Sequence, residues 1–302
     1  MEPKVIILMS TYNGEKYVEE QMESLLGQSY KNIKIYIRDD GSRDKTVDIL
    51  KLYETNPKIH LIQGNNVGFI DSFFEVVRVC GDADYYAFCD QDDKWMPEKI
   101  QYGVEMLDME DQKSPLLYFS NYDFYNEKME FMNHKKPVAG EPSFQNSLVD
   151  CMPLGFTVMF NKRAMELLKS HIPENSCGHD WWTYMVCAGL GKIIYDDRVT
   201  VCYRRTGNNV SPGGMDFLKF QLWRIKKFFK NDYFTNIRKM LKEYHQCYYD
   251  TLDDEKRALL DLFVVNPSKI GNRIKKVTYT KRLRQTIFDE LAIRIIFLMG
   301  KL

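Results

Sequence analysis

Apolar residues in the first 120 positions follow two alternating patterns. Short runs of aliphatic and aromatic residues predict five strands, at Val5–Met9, Ile33–Ile37, Ile59–Ile62, Tyr85–Cys89 and Leu116–Phe119. Between these runs apolar residues recur every three or four positions, which predicts a helix in each interval. Strands that alternate with helices in this way form a mostly parallel sheet with helices on both faces, so the predicted fold class is α/β.

Beyond residue 120 the pattern is less regular before it turns helical. Residues 121–177 are expected to be irregular, apart from one apolar run that returns to the sheet. The later elements predicted are one helix near Trp181–Ala188 and strands at Phe156–Phe160, Lys192–Tyr195 and Val199–Tyr203. A Ser-Pro-Gly-Gly breaker at 211–214 marks the change. The predicted division is an α/β domain at residues 1–215, with halves of about 1–120 and about 121–215, and a helical extension at 216–302.

The net charge of zero hides an uneven distribution. Residues 216–302 contain 19 Lys or Arg and 10 Asp or Glu, a net charge of +9, so residues 1–215 carry −9. Within the extension, Phe217–Lys230 alternates aromatic and basic residues, Lys269–Arg284 has seven basic residues and no acidic one, and Leu291–Met299 is apolar-rich. We therefore expect peripheral contact with an anionic membrane. A helical subdomain packed on the α/β domain, or a dimer contact, is the alternative.

Seven scattered cysteines without a C-x-x-C pair argue against a disulfide framework or a zinc site. We expect reduced thiols and a cytoplasmic protein. No signal peptide is apparent at the N-terminus, and no apolar run of about 18 residues suggests a membrane span.

Polar and acidic residues gather where the predicted strands end. The segments there read S-T-Y-N-G at 10–14, R-D-D-G-S at 38–42, G-N-N-V-G at 64–68 and D-Q-D-D at 90–93. Ligands of parallel sheets bind outside the carboxyl ends of the strands, so this edge is the candidate site.

Two of these segments carry candidate chemistry. Asp92 and Asp93 are poor core residues, because burying unpaired charge is costly, and with diphosphate oxygens they suit Mg²⁺ or Mn²⁺. Asp40 can accept the imide N–H of uracil or thymine, while Ser10 and Tyr12 offer hydrogen bonds and a stacking face. The alternatives are a solvated acidic turn at 90–93 and a helix cap at Asp40.

Two later motifs add a base and a pair of cations. Asp180 precedes Trp181 and Trp182, and apolar walls would raise its pKa towards that of a general base. The alternative makes Asp180 a helix N-cap and the tryptophans core residues. Arg204 and Arg205 could close on a diphosphate as a lid, or form a basic surface turn.

Together, S-T-Y-N-G, D-D-G-S at 39–42, D-Q-D-D and G-H-D-W-W at 178–182 resemble glycosyltransferase family 2, the inverting enzymes of GT-A fold. With Y-R-R-x-G-N-N-V-S at 203–211, the likeness is greatest to the bacterial rhamnosyltransferase branch, which builds cell-wall and capsular polysaccharides. The resemblance covers about residues 3–215. Thr206 stands where that branch often has His, which weakens the assignment of this loop and of rhamnose.

The resemblance implies a role for each matching residue. The donor nucleotide contacts are Ser10, Tyr12, Asn13, Asp40, Asn66, Gly68 and Asp92. Asp93 would bind Mg²⁺ or Mn²⁺, Asp180 would be the catalytic base, and Arg204 and Arg205 would form the diphosphate lid. The residues expected to pack against acceptor or sugar are His179, Trp181 and Trp182, and His179 is expected to be an orienting or structural residue and not the base.

The expected reaction is single displacement from a dTDP- or UDP-sugar to a glycan or lipid-linked glycan. Rhamnose from dTDP-rhamnose is the first expectation, and a UDP-hexose (glucose, galactose or N-acetylhexosamine) is the alternative. A non-catalytic nucleotide- or nucleic-acid-binding protein is more remote, because an acidic rim repels phosphate backbones, and no nucleic acid is expected as partner. The sequence leaves the acceptor, the linkage and the oligomeric state open.

Overall fold

The structure, a computed structural model, describes residues 2–206 and 232–302. The nine strands within these residues are β1 Val5–Thr11, β2 Ile33–Asp39, β3 Ile59–Gln63, β4 Tyr85–Cys89, β5 Lys94–Trp95, β6 Leu116–Asn126, β7 Phe131–His134, β8 Val158–Asn161 and β9 Lys192–Arg205. The eleven α-helices within them are α1 Val18–Leu26, α2 Thr46–Lys51, α3 Phe69–Val79, α4 Lys99–Asp108, α5 Phe144–Ser147, α6 Lys162–Ser170, α7 His179–Leu190, α8 Asp232–Tyr248, α9 Asp254–Val264, α10 Ile270–Val277 and α11 Ile287–Leu298.

The described strands form one mixed sheet. Its order is β3-β2-β1-β4-β8-β6-β9-β5, and β7 pairs with β6. The first four strands pair in parallel, as predicted. β8 is antiparallel to both β4 and β6, whereas β9 is parallel to β6 and β5 is antiparallel to β9. The predicted α/β class is confirmed, with parallel pairing concentrated in the N-terminal half.

Successive side chains of β1 enter two different hydrophobic cores. Ile6 and Leu8 pack with α3, α6 and α7 on one face of the sheet. Val5, Ile7 and Met9 pack with α1 and α4 on the other. Because consecutive strand residues point to opposite faces, an uninterrupted apolar strand needs helices on both sides. The ends of β1, β2 and β4 are thereby held in fixed positions at one edge of the sheet.

The two strands predicted at Lys192–Tyr195 and Val199–Tyr203 are a single strand, β9. Polar residues between them suggested a break. Asp196 is buried, but it accepts a hydrogen bond from the Tyr118 hydroxyl at 3.0 Å and pairs with Arg198 at 2.6 Å. With its carboxylate satisfied, the polar residue stays in the strand.

The segment expected to be irregular contains the strand β7 and the helices α5 and α6. α6 begins after Asn161, whose side chain accepts the amide of Ala164 at 3.0 Å and so caps the helix. The strand predicted at Phe156–Phe160 begins only at Val158, because Gly155–Thr157 forms a 3-10 turn. That turn brings the Gly155 amide to the candidate site.

The helical extension packs on the α/β domain. The rings of Tyr244 and Tyr248 on α8 lie 6.0 and 6.2 Å from the ring of Trp182 on α7. Glu243 accepts the amides of Glu174 and Asn175, each at 2.8 Å. These contacts agree with the alternative from the sequence analysis, in which the extension is a helical subdomain packed on the α/β domain. The predicted boundary at 215/216 and the segment Phe217–Lys230 lie outside the described residues.

No helix in the described ranges is both long and apolar enough to cross a bilayer.

Leu241 tests the packing of the extension. It lies on α8, has no exposed surface and belongs to the same core as α7. We expect Leu241→Ala to lower the free energy of unfolding by about 2–5 kcal/mol, because a cavity remains in the core. Urea denaturation measures this loss. Leu52→Ala, at a leucine that is 75% exposed, is the matched control and should change stability by less than about 0.5 kcal/mol. Equal effects at both positions would contradict the packing.

Candidate active site

Three loops at the carboxyl edge of the sheet are tied to one another by hydrogen bonds. The Gln91 side chain accepts the amide of Tyr12 at 2.8 Å and donates to its carbonyl at 3.0 Å. The Asn13 amide donates to Ser42 Oγ at 2.8 Å, and Asn13 Oδ1 accepts the amide of Arg43 at 2.9 Å. Asn13 reaches this position with a φ of 48°. The Tyr12 and Asn13 side chains are exposed beside this joint.

Asp40 is the most heavily bonded of the predicted nucleotide contacts. Its Oδ1 accepts Arg38 Nη1 at 2.5 Å and the Val67 amide at 2.9 Å, and its Oδ2 accepts the Gly68 amide at 3.0 Å. Gly68 adopts a φ of 91°, a conformation that favours glycine. Asn66 is exposed on the same loop. Asp40 therefore joins β2 to the loop before α3.

Arg38 is a site residue that the sequence reasoning missed. Beyond Asp40, Nη1 donates to Ser72 Oγ at 2.9 Å and Nη2 to the Asn65 carbonyl at 3.0 Å. Ser72 and Ser10 share a hydrogen bond of 2.6 Å between their hydroxyls. The signal in the sequence was a basic residue that directly follows the apolar positions of β2 and precedes two aspartates, since a buried arginine requires several acceptors.

Asp90, Asp92 and Asp93 form a group of mutually repelling carboxylates past the end of β4. Burial, and then the charges of Asp92 and Asp180, raise the pKa of Asp90 to about 8. Burial also raises the pKa of Asp92, which is partly exposed. Asp90 belonged to the predicted motif without a role of its own. Its response to Asp180 indicates that α7 brings the predicted base to this group.

Asp93 lies beneath the rim with no exposed surface. Its Oδ1 accepts the Arg204 amide at 3.0 Å, whereas its Oδ2 has no hydrogen-bond partner among the described residues. Burial, and then Asp92 and Asp90, raise its pKa well above the ordinary range. A buried oxygen of this kind beside two other carboxylates fits a divalent cation.

The described residues contain no group of three or more His, Cys, Asp or Glu arranged to hold a metal by themselves. Mg²⁺ commonly takes one or two protein carboxylates and completes its shell with substrate phosphates and water. The carboxylates at the end of β4 are suited to a cation that is shared with a diphosphate.

Asp180 stands in the first turn of α7 with its carboxylate held by two backbone amides. Oδ1 accepts the amide of Trp181 at 2.8 Å and Oδ2 accepts the amide of Gly155 at 3.1 Å. Burial raises the pKa of Asp180 to about 6, although these hydrogen bonds act in the opposite direction. The side chain is partly exposed. The carboxylate is thus oriented, partly exposed, and mostly ionised at neutral pH, with a pKa close enough to neutrality for it to exchange a proton.

The prediction that His179, Trp181 and Trp182 pack against a sugar is wrong, because all three are buried in the protein core. The His179 ring stacks on Phe73 with centroids 3.7 Å apart. Burial lowers its pKa to about 3, so the ring is neutral. Trp182 faces α8, and Trp181 Nε1 donates to the Ser147 carbonyl at 2.7 Å. The alternative from the sequence analysis, in which both tryptophans are core residues, agrees with this packing.

The prediction of a diphosphate lid is wrong for Arg204, which is buried in strand β9. Its Nε donates to the Asp92 carbonyl at 2.8 Å, its Nη1 to the Glu127 carbonyl at 2.7 Å, and its Nη2 to the Glu20 carboxylate. A side chain bound on three sides fastens the carboxylate loop instead of moving over it. Arg205 is also in β9, partly exposed, with its guanidinium 5.7 Å from the Tyr203 ring. Residues 207–209 of that motif lie outside the described residues.

Comparison with known families identifies the sequence pattern. The family described as Glycosyl transferase family 2 matches residues 6–165. A Shigella flexneri protein named dTDP-rhamnosyl transferase RfbG is 28% identical over 235 residues, which cover 69% of this chain and 75% of that protein. A Bacillus subtilis protein named putative teichuronic acid biosynthesis glycosyltransferase TuaG is 26% identical over 218 residues, 70% of this chain and 82% of that protein.

Solved structures show the same fold at lower identity. TarS residues 1–349 from S. aureus, in complex with UDP-GlcNAc, align with a TM-score of 0.62 and 17% identity, over 98% of this chain and 81% of that chain. The mannosyltransferase PcManGT from Pyrobaculum calidifontis, in complex with GDP-Man and Mn²⁺, aligns with a TM-score of 0.53 and 14% identity, over 100% and 86%.

Proposed function

Because the chain belongs to glycosyl transferase family 2, we propose that it transfers a sugar from a nucleoside diphosphate to a glycan with inversion at the anomeric carbon. The observation that supports this most is Asp180. It is a partly exposed carboxylate with a pKa of about 6, oriented by two amides and close enough to Asp90 to raise the pKa of that residue. Such a group can accept a proton at neutral pH.

In the proposed reaction Asp180 accepts the proton of the acceptor hydroxyl. The hydroxyl oxygen forms a bond to the anomeric carbon while the bond from that carbon to the diphosphate oxygen breaks. The electron pair of the broken bond leaves with the nucleoside diphosphate. Attack from the face opposite the leaving group inverts the configuration, through a transition state with oxocarbenium character.

For the donor, we propose that the nucleoside lies over the loops that carry Ser10, Tyr12, Asn13 and Asp40. It would also contact Asn66 and Gly68 in the loop before α3. Asp92 and Asp93 would hold Mg²⁺ or Mn²⁺, and Arg205 would reach the diphosphate. The exposed Tyr12 ring and the unpaired Oδ2 of Asp93 among the described residues support these roles. When bound, the cation neutralises charge on the departing diphosphate.

Rhamnose from dTDP-rhamnose is the first candidate sugar, on the strength of the relative named dTDP-rhamnosyl transferase. A UDP-hexose is the second, because a structural neighbour was solved with UDP-GlcNAc. A screen of nucleoside-diphosphate sugars with Mn²⁺ by thermal shift separates the two. A ligand at 100 times its dissociation constant adds about 2.7 kcal/mol of apparent stability.

For the acceptor, we propose a cell-wall or capsular glycan, lipid-linked, with the protein held peripherally on the inner face of the cell membrane. The name of the relative TuaG supports a cell-wall polymer. The support for the membrane is the apolar stripe of α11, which includes the C-cap residue after the helix. It is formed by five residues that are 50–68% exposed: Ile287, Leu291, Ile295, Leu298 and Met299.

The apolar stripe of α11 has basic surroundings. The opposite face of the helix, with Ile293, Ile296 and Phe297, is buried in the core. Lys269–Arg284 contributes seven basic residues and no acidic one immediately before α11. An apolar helix face bordered by basic side chains is suited to the interface of an anionic bilayer.

Asp180→Asn tests the base. We expect transfer to fall by about 10²- to 10⁴-fold, because an amide cannot accept the proton. Donor binding should stay within a few-fold of the original, since Asp180 lies on the acceptor side of the proposed site. A transfer assay and calorimetry of donor binding measure the two quantities. In the unaltered protein the rate should rise with pH through about 6, as Asp180 loses its proton.

Asp254→Asn is the control for this substitution, because its carboxylate is exposed on α9 and should leave the rate unchanged. Near-normal transfer by Asp180→Asn, or a rate that is flat from pH 5 to pH 7, would remove the base assignment.

Leu291→Asp combined with Ile295→Asp tests the membrane contact. We expect the unaltered protein to float with vesicles that contain phosphatidylglycerol and to float less with pure phosphatidylcholine vesicles. The double variant should lose flotation, because two charges would enter the apolar boundary. Met109→Asp, at an exposed methionine on another surface, should float normally. Equal flotation of all three proteins, or no flotation of any, would contradict the contact.

A further inference from the structure

The loop that carries Asp40 contains a feature that bears on which base the donor carries. A carboxylate has about four acceptor positions, two on each oxygen. Oδ1 of Asp40 uses both of its positions, on Arg38 Nη1 at 2.5 Å and on the Val67 amide at 2.9 Å. Oδ2 uses one, on the Gly68 amide at 3.0 Å. One acceptor position remains.

Access to Asp40 is equally restricted. The residue is only 2% exposed, so a ligand can approach a small part of its carboxylate. A carboxylate with one free acceptor position and little exposed surface suits a single N–H donor. The imide N–H of uracil or thymine is such a donor. Guanine offers a ring N–H and an amino group side by side, which a carboxylate accepts best with both oxygens.

Of the two groups that donate to Asp40 Oδ1, Arg38 is the side chain and Val67 the backbone amide. It is itself held, since Nη1 also donates to Ser72 Oγ at 2.9 Å and Nη2 to the Asn65 carbonyl at 3.0 Å. Gly64 leaves room for it, because a Cβ there would lie 2.6 Å from Arg38 Nη2. The guanidinium is therefore fixed between the end of β2 and the loop before α3.

We propose that Arg38 is a specificity-determining residue, which leaves Asp40 one acceptor position and so restricts the donor to uridine or thymidine diphosphates against guanosine diphosphate. The inference rests on the proposed function, in which Asp40 receives the base. The fold itself does not fix the base, because similar folds were solved with UDP-GlcNAc and with GDP-Man. If guanine bound there, its amino group would be buried without an acceptor, which would weaken binding.

The test is calorimetric binding of UDP, dTDP, GDP and CDP to the full chain in the presence of Mn²⁺. We expect UDP or dTDP to bind at least about tenfold more tightly than GDP, as one unpaired buried donor accounts for a factor of this order. CDP should bind weakly, because cytosine presents an acceptor in place of the imide N–H. GDP binding as tight as UDP binding would overturn the inference without any variant.

Arg38→Met identifies the residue responsible. Removing the guanidinium frees a position on Oδ1, so the preference for UDP over GDP should fall to less than about threefold, while UDP itself binds about tenfold more weakly. Arg38→Leu, which also removes the donor to Asp40, is the second variant if Arg38→Met does not fold. Full base preference in a folded Arg38 variant would overturn the role of Arg38.

Ser72→Ala is the matched control. It removes one contact of Arg38 and leaves the contact between Arg38 and Asp40, so the base preference should persist. A purely structural role of Arg38 would change all affinities together and leave their ratio unaltered. If the unaltered protein binds none of the nucleotides, the proposed function fails. If it binds them all equally and transfers sugar, only this inference fails.

Discussion

Four carboxylates that repel one another are held together at the edge of this sheet. Asp90, Asp92 and Asp93 follow β4, and Asp180 joins them from the first turn of α7. Burial raises the pKa of all four, and the neighbouring carboxylates raise the pKa of Asp90 and Asp93 further, so protons or a cation would stabilise the group. In the proposed reaction, a cation with a diphosphate would relieve the repulsion at Asp92 and Asp93 and would leave Asp180 to exchange a proton.

The fold imposes this arrangement through fixed supports. β1 and β4 end side by side because they pair in parallel, and Gln91 ties the loop after β4 to the loop after β1. Arg204 fastens the same loop from β9, and the 3-10 turn at Gly155–Thr157 aims an amide at Asp180. These hydrogen bonds link the loops to the strands of the sheet and limit how far the carboxylates can separate.

Much of this could be predicted from the sequence, because β-strand and helix periodicity locate the strand ends that precede Asp40 and Asp92 and the start of the helix that carries Asp180. The sequence misled where the answer depended on distant partners. Arg204 meets Asp92 and Glu20, 112 and 184 residues away, so an apparent surface arginine is buried. Trp182 is covered by α8, more than fifty residues later, and helix periodicity alone cannot tell whether protein or ligand covers an apolar face.

The most direct test of the central claim is the affinity for UDP with Mn²⁺ and with EDTA, measured by calorimetry on the unaltered protein and on Asp92→Asn. The account predicts that Mn²⁺ tightens binding by at least about tenfold, and that the substitution removes most of this gain, because the cation would bridge the carboxylates and the diphosphate. Equal affinity with Mn²⁺ and with EDTA, or an undiminished gain in Asp92→Asn, would contradict it.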